Sequence, residues 1–199
     1  MVMTFGYAQR AYKTELLCGD VGHWWIGTHR HVLALADGLG HGAAAHRAAS
    51  KAMQCIAAHL DDSCEAMFAA CNERLLDTRG AVLAIAIIDL DSNLLTLGVT
   101  GNIRVRLFGV NSAVWLGAGR GFVGAGHAPP IPDRIRLEQG DRLVLSTDGI
   151  DESSGSRTCM EHKNATPQQI ADEVIRGWAR KDDDAAVLVY RHGDTGSAR

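Results

Sequence analysis

The stretch AVLAIAIIDL at residues 81–90 sets the strongest limit on how this chain can fold. It is apolar at nearly every position, as a strand covered on both faces would be, whereas a strand with one wet face alternates. Asp91-Ser92-Asn93 then supplies turn chemistry, and LLTLGVT returns as a hairpin partner. A sheet of such strands needs apolar layers above and below it.

Other segments supply those layers. Residues 31–37 (HVLALAD), 141–148 (DRLVLSTD) and 184–191 (DAAVLVYR) read as further strands, and 103–109 with 113–117 as a second hairpin around Asn111-Ser112. Three segments read as helices with one apolar stripe. The first, about 42–59, carries Ala45, Ala49, Met53, Ile56 and Leu60. The second starts near Asp62, with Glu65 as a capping-box partner, and buries Cys64, Met67, Phe68, Cys71 and Leu75. The third opens on Thr166-Pro167-Gln168-Gln169, an N-cap, a first-turn proline and a glutamine that closes the box; Ile170, Val174 and Trp178 line its inner face. Hairpin-length turns make the sheets mainly antiparallel. The expected fold is α+β: a four-layer α-β-β-α sandwich of two sheets flanked by helices. Residues 1–191 form one domain in this reading, and 192–199 a frayed tail.

Composition narrows the function. With 46% hydrophobic and 22% charged residues, the 199-residue chain has an ordinary globular balance. A net charge of -3 and scattered Lys and Arg argue against a nucleic-acid surface. No run of eighteen apolar residues and no signal-peptide layout occur, so neither membrane nor export is expected and the cytoplasm is. Five cysteines without a CxxC pair read as reduced thiols, Cys55, Cys64 and Cys71 among them as small core residues.

Aspartates carry the chemistry. Asp20, Asp37, Asp148 and the Asp183-Asp184 pair fall at strand edges. If the last strand runs antiparallel to those ending at Asp37 and Asp148, three carboxylates meet at one edge. Crowded like charges call for raised pKa values or a bound cation, and an oxygen-only set favours magnesium, manganese or calcium over zinc. Each Asp-Gly step taken alone is as well explained by a solvated turn.

Ala36-Asp37-Gly38-Leu39-Gly40-His41-Gly42 resembles the DG-x-GHG segment of SpoIIE-like phosphatases, a bacterial branch of the metal-dependent, type-2C (PPM) protein phosphatases. Leu17-Cys18-Gly19-Asp20 is similar to their first metal motif. The run from Gly140-Asp141 through Ser146-Thr147-Asp148-Gly149-Ile150 resembles their GD and SDG segments, and Asp183-Asp184-Ala185-Ala186 their closing DD-x-T. The motifs stand in family order. Small size and the Thr100-Gly101-Asn102-Ile103-Arg104 turn resemble the stand-alone RsbX-like subgroup.

The resemblance implies a protein serine/threonine phosphatase with two Mn2+ or Mg2+ ions. Asp37 bridges the ions, the Gly38 carbonyl binds the second, Asp148 and Asp183 complete the first, and Asp20 holds a metal-bound water or a further ion. Asp37 and Asp20 thereby serve catalysis, with attack by a hydroxide bridging the ions. The implied substrate is a phosphorylated STAS-domain protein of stress signalling, such as a stressosome component or anti-sigma antagonist, and the implied state a monomer. Leu39 stands where many type-2C enzymes have a histidine; His41 is a substitute acid or simply a helix-start residue. The closing threonine is Ala186, and Arg10 is the nearest guess for a phosphate-binding arginine.

Rival readings remain. Gly119–Gly124 matches GxGxxG, but the prolines of HAPPIPD forbid the helix a dinucleotide loop opens, so it reads as a loop near the site, with Phe122 a contact or a packing residue. The nine histidines show no HExxH; His23, His29 and His31 read mostly as surface residues, and Trp24 and Trp25 as packing between sheet and helix. A catalytically weak or inactive phosphatase-fold binding module is the main alternative, and a hydrolase of small phosphoesters another.

Overall fold

The computed structural model describes residues 4–13, 15–109, 112–117, 119–151 and 165–193. Cys159 lies outside them. Among the described residues, ten strands form two five-stranded sheets. The first contains β1 (Phe5–Arg10), β6 (Arg104–Phe108), β7 (Ala113–Leu116), β9 (Arg142–Ser146) and β10 (Ala185–Arg191), in the order β1-β10-β9-β6-β7. The second contains β2 (Asp20–Ile26), β3 (Arg30–Gly38), β4 (Ala81–Asp89), β5 (Leu94–Val99) and β8 (Asp133–Arg136), in the order β2-β3-β4-β5-β8. Every pairing described is antiparallel.

The apolar run of β4 is explained by what lies on each side. Val82, Ala84, Ala86 and Ile88 point between the sheets, where they meet Leu143, Leu145, Leu188 and Tyr190. Ala81, Leu83, Ile85 and Ile87 point the other way, onto α1 (Gly42–Ala57) and α2 (Cys64–Arg74). A third cluster joins Val187 and Val189 of β10 to Ile170 and Val174 of α3 (Pro167–Trp178). The four layers are therefore helices, sheet, sheet, helix, the expected α+β sandwich.

Local chemistry fixes the helix ends. Thr166 caps α3 with the full capping box to Gln169. Gln168 reaches outward instead: its side chain accepts from the Tyr7 N–H at 3.1 Å and donates to the Tyr7 carbonyl at 2.9 Å, tying α3 to β1. The N-cap of α2 is Ser63 rather than Asp62, because the serine oxygen accepts from the Ala66 N–H.

Several single residues depart from expectation. Trp24 stacks on Phe5 at 5.5 Å within the core between the sheets, whereas Trp25 packs on the helix side. His31 is buried beside Phe5 and Tyr190, and burial holds its pKa below 6.5. His192, assigned to the tail, is buried with hydrogen bonds to the Tyr190 hydroxyl and Asn93, so the folded unit extends past residue 191. Residues 119–132 contain no helix, which removes the dinucleotide reading, and Phe122 packs against the core and over Gly80. Among the described residues, no helix is long and apolar enough to cross a membrane.

Candidate active site

The sheet order brings the acids to one end. Asp20 opens β2 and Asp37 nearly closes β3, and the two are direct partners in the ladder. Asp148 follows the end of β9 and Asp183 precedes the start of β10. Because β10 runs antiparallel to β9, these two meet as well. Asp37, Asp148 and Asp183 line one open cavity of about 570 Å³, with Tyr12, Leu39, Gly40, His41, Val82, Gly101, Asn102 and Asp182. Asp20 lies behind that surface, 1% exposed, and its Oδ2 accepts from the Thr147 hydroxyl at 2.7 Å.

These carboxylates repel one another. Burial, then the Asp37 charge, pushes Asp20 up to about 9, although the Thr147 hydrogen bond works against this. Burial, then Asp148 and Asp183, pushes Asp37 up to about 7. Asp183 is raised by burial and by Asp148. Asp184 is buried behind the same edge: its Oδ1 accepts from the Tyr12 N–H at 2.8 Å, while its Oδ2 has no partner among the described residues. Among the described residues the cavity lining contains neither Lys nor Arg. Arg10, the guessed phosphate ligand, does not line it.

Such a site fits a hard divalent cation, which removes the repulsion by its own charge. The donors are oxygen atoms, as magnesium or manganese prefers. Among the described residues no group of three or more His, Cys, Asp or Glu side chains is set to hold one ion.

Glycines beside the aspartates serve close approach, not turn geometry. Neither Gly38 nor Gly149 has a positive φ. A Cβ on Gly38 would lie 2.0 Å from the Ala45 carbonyl oxygen of α1, and one on Gly149 would lie 1.8 Å from the Asp184 carbonyl oxygen. The Asp-Gly steps therefore let α1 and the β10 entry press against the acid-bearing backbone. Gly38→Ala is expected to destabilise the fold by about 3 kcal/mol, since backbone must move to admit the methyl. Urea unfolding of the chelated protein measures this, and a change below about 0.5 kcal/mol would contradict the packing argument.

Two side chains complete the site that sequence reasoning did not assign. Asn102 donates from Nδ2 to Asp148 Oδ2 at 2.7 Å and orients that carboxylate. Thr147 accepts from the Ala186 N–H at 2.9 Å while donating to Asp20. Its hydroxyl thus joins the strand end of Ala186, where the family motif has threonine, to the buried acid. Both residues adjoin a motif position, Asn102 in the GN turn and Thr147 directly before Asp148, and that adjacency was the available signal. His41 stands at the N-cap of α1 without capping it, lines the cavity, and pairs with Glu15 through Nδ1 at 3.1 Å.

A ten-stranded sandwich with acids gathered at the strand ends is the architecture of type-2C phosphatases. The family described as stage II sporulation protein E (SpoIIE) matches residues 27–193, and the chain belongs to this family of phosphatases. Asp20 precedes the matched range. Phosphoserine phosphatase RsbX of Bacillus subtilis (strain 168) is 23% identical over 142 residues, covering 67% of this chain and 68% of that protein. A chain solved in work on the bacterial stressosome, a modular system adapted to control secondary messenger signalling, superposes with a TM-score of 0.88 at 27% identity, covering 96% of this chain and all of that one. RsbX in complex with magnesium superposes with a TM-score of 0.82 at 19% identity, covering 93% and 92% of the two chains.

Proposed function

We propose that this protein hydrolyses phosphoserine or phosphothreonine on a cytoplasmic STAS-domain signalling protein, using two Mg2+ or Mn2+ ions. The observation that carries the reading is the meeting of Asp37, Asp148 and Asp183, from both sheets, in one cavity whose lining has no Lys or Arg among the described residues. Asp37, the Gly38 carbonyl, Asp148 and Asp183 would hold the ions, with Asp20 behind them. Bound there, the ions would supply Lewis acidity and acidify water at neutral pH.

The chain's own residues would do the rest. Asn102 fixes the Asp148 carboxylate. Thr147 holds Asp20 by a hydrogen bond, and burial with the Asp148 and Asp183 charges keeps the Asp37 carboxyl raised, against a hydrogen bond from Asp20 that lowers it. Leu39 and Val82 give the cavity apolar wall, which limits water around the phosphoryl group. His41, which lines the cavity and pairs with Glu15, would give a proton to the leaving serine or threonine oxygen. An open cavity suits a phosphorylated side chain presented by a protein surface.

The test is phosphate release from a phosphoserine STAS protein and from p-nitrophenyl phosphate, with manganese and with chelator. Manganese-dependent release, faster from the phosphoprotein, is the expected result. Equal or faster turnover of the small ester would favour a small-molecule phosphatase. No release from either, with the fold intact and metal saturating, would favour the binding-module alternative.

A further inference from the structure

Helices α1 and α2 meet at two cysteines far from the aspartates. The Cys71 thiol donates toward the Ala52 carbonyl of α1 at 3.9 Å, and the Cys55 and Cys71 thiols hydrogen-bond to each other. Both lie in one buried cluster. They differ in access. Cys55 lines a surface cavity of about 490 Å³ with Lys51, His59, Glu73, Arg74 and Asp77, whereas Cys71 does not line it. We propose that Cys55 and Cys71 form an oxidisable thiol pair, in which a hydroperoxide oxidises Cys55 and Cys71 then closes a disulfide joining α1 to α2.

The surroundings divide the roles. Cations beside a thiol favour the thiolate, the form that attacks. The Cys71 hydrogen bond, then the His59 and Arg74 charges, holds the Cys55 thiol at about 7, against the opposing effect of burial. Glu73 and Asp77 also face this cavity, and Asp77 is paired with Lys51. Cys71 moves the other way: its hydrogen bond to Cys55 and its burial raise it, so it keeps its proton. Cys18 and Cys64 are pushed up to about 12, chiefly by burial.

The chemistry balances in two steps. The Cys55 thiolate attacks one oxygen of hydrogen peroxide, the O–O bond breaks, and sulfenic acid and hydroxide result. The Cys71 sulfur then attacks the Cys55 sulfur, the S–O bond breaks, and water leaves with the Cys71 proton. Two thiols are oxidised and one peroxide is reduced. The packing of α1 on α2 puts both thiols in one cluster, with Cys71 reaching the α1 backbone at Ala52, one turn from Cys55. This inference uses no part of the aspartate site and stands apart from the phosphatase reading.

The test treats the full chain with a small excess of hydrogen peroxide, blocks free thiols with iodoacetamide, and maps peptides by mass spectrometry. A Cys55–Cys71 linked peptide that disappears on reduction is expected. In Cys71→Ala, Cys55 should instead be trapped by dimedone as the sulfenic acid. Without peroxide, alkylation of Cys55 should rise about tenfold per pH unit up to about pH 7, well ahead of Cys18 and Cys64. The proposal fails if Cys55 labels no faster than those thiols, if it pairs with Cys159 or between chains, or if oxidation of the unaltered chain runs to sulfinic acid on Cys55. The map of the unaltered chain decides the pairing even where the alanine variant does not fold.

Discussion

Asp37→Asn is expected to abolish most phosphatase activity while making the metal-free protein more stable. The two effects have one cause. Asp37 lies between Asp20 behind it and Asp148 and Asp183 in the cavity; burial, then Asp148 and Asp183, raise the cost of its charge, and the hydrogen bond with Asp20 offsets only part of that. Asparagine keeps the shape and removes the charge. Activity should fall about a thousandfold, because under the proposed function the site loses a carboxylate that would hold its metal. Moving a carboxyl from 3.8 to about 7 corresponds to at most about 4 kcal/mol at pH 8. The amide's own hydrogen-bonding needs offset part of that, so a gain of about 2 kcal/mol is expected in chelator. Paired urea curves and manganese-dependent assays measure both. A variant that is inactive and also less stable in chelator would show Asp37 to be structural. One that keeps its activity would remove it from the catalytic centre.

That opposition between stability and function was partly legible in the sequence. Apolar runs ending in Asp37 and Asp148, and one beginning after Asp183, placed the acids at strand edges, and antiparallel pairing of β9 and β10 makes two of those edges one end. The direct pairing of Asp20 with Asp37 was not legible, because it depends on the β2–β3 register and β2 carries histidine, glycine and tryptophan in place of a clear alternation. β1 and β8 escaped for related reasons. β1 is short and begins Phe-Gly, and that Gly6 sits where a Cβ would lie 2.2 Å from the Pro167 backbone, a constraint imposed by α3 from the far end of the chain. β8 is an edge strand with mostly exposed residues, so burial leaves no pattern in it. Gly38 and Gly149 invited a turn reading because Asp-Gly is common in turns. Their contacts with Ala45 and Asp184 arise from tertiary packing, which local sequence does not record.

Metal ions should stabilise the protein more strongly as pH rises from 6.5 to 9. In the chelated protein Asp37 and Asp20 hold protons up to about 7 and about 9, far above the ordinary 3.8. The folded state therefore binds protons more tightly than the unfolded chain, and these two groups cost stability as pH climbs through that window. Together they cost about 2 to 4 kcal/mol between pH 6.5 and 9. A divalent cation needs the deprotonated carboxylates and offsets their repulsion, so its affinity grows over the same range. His31 and His192, held below 6.5 by burial, and Cys55, held at about 7, also titrate nearby with the opposite sign. They are present with and without the ion, so the difference between the two conditions removes them. For a chain of this length the rise in Tm on adding Mg2+ should be larger by about 5–15 °C at pH 9 than at pH 6.5. Thermal melts in Mg2+ and in chelator across this range measure it, and Asp37→Asn should show a smaller rise. A metal increment that stays flat with pH would mean that the ion binds elsewhere, away from the raised carboxyls of Asp20 and Asp37.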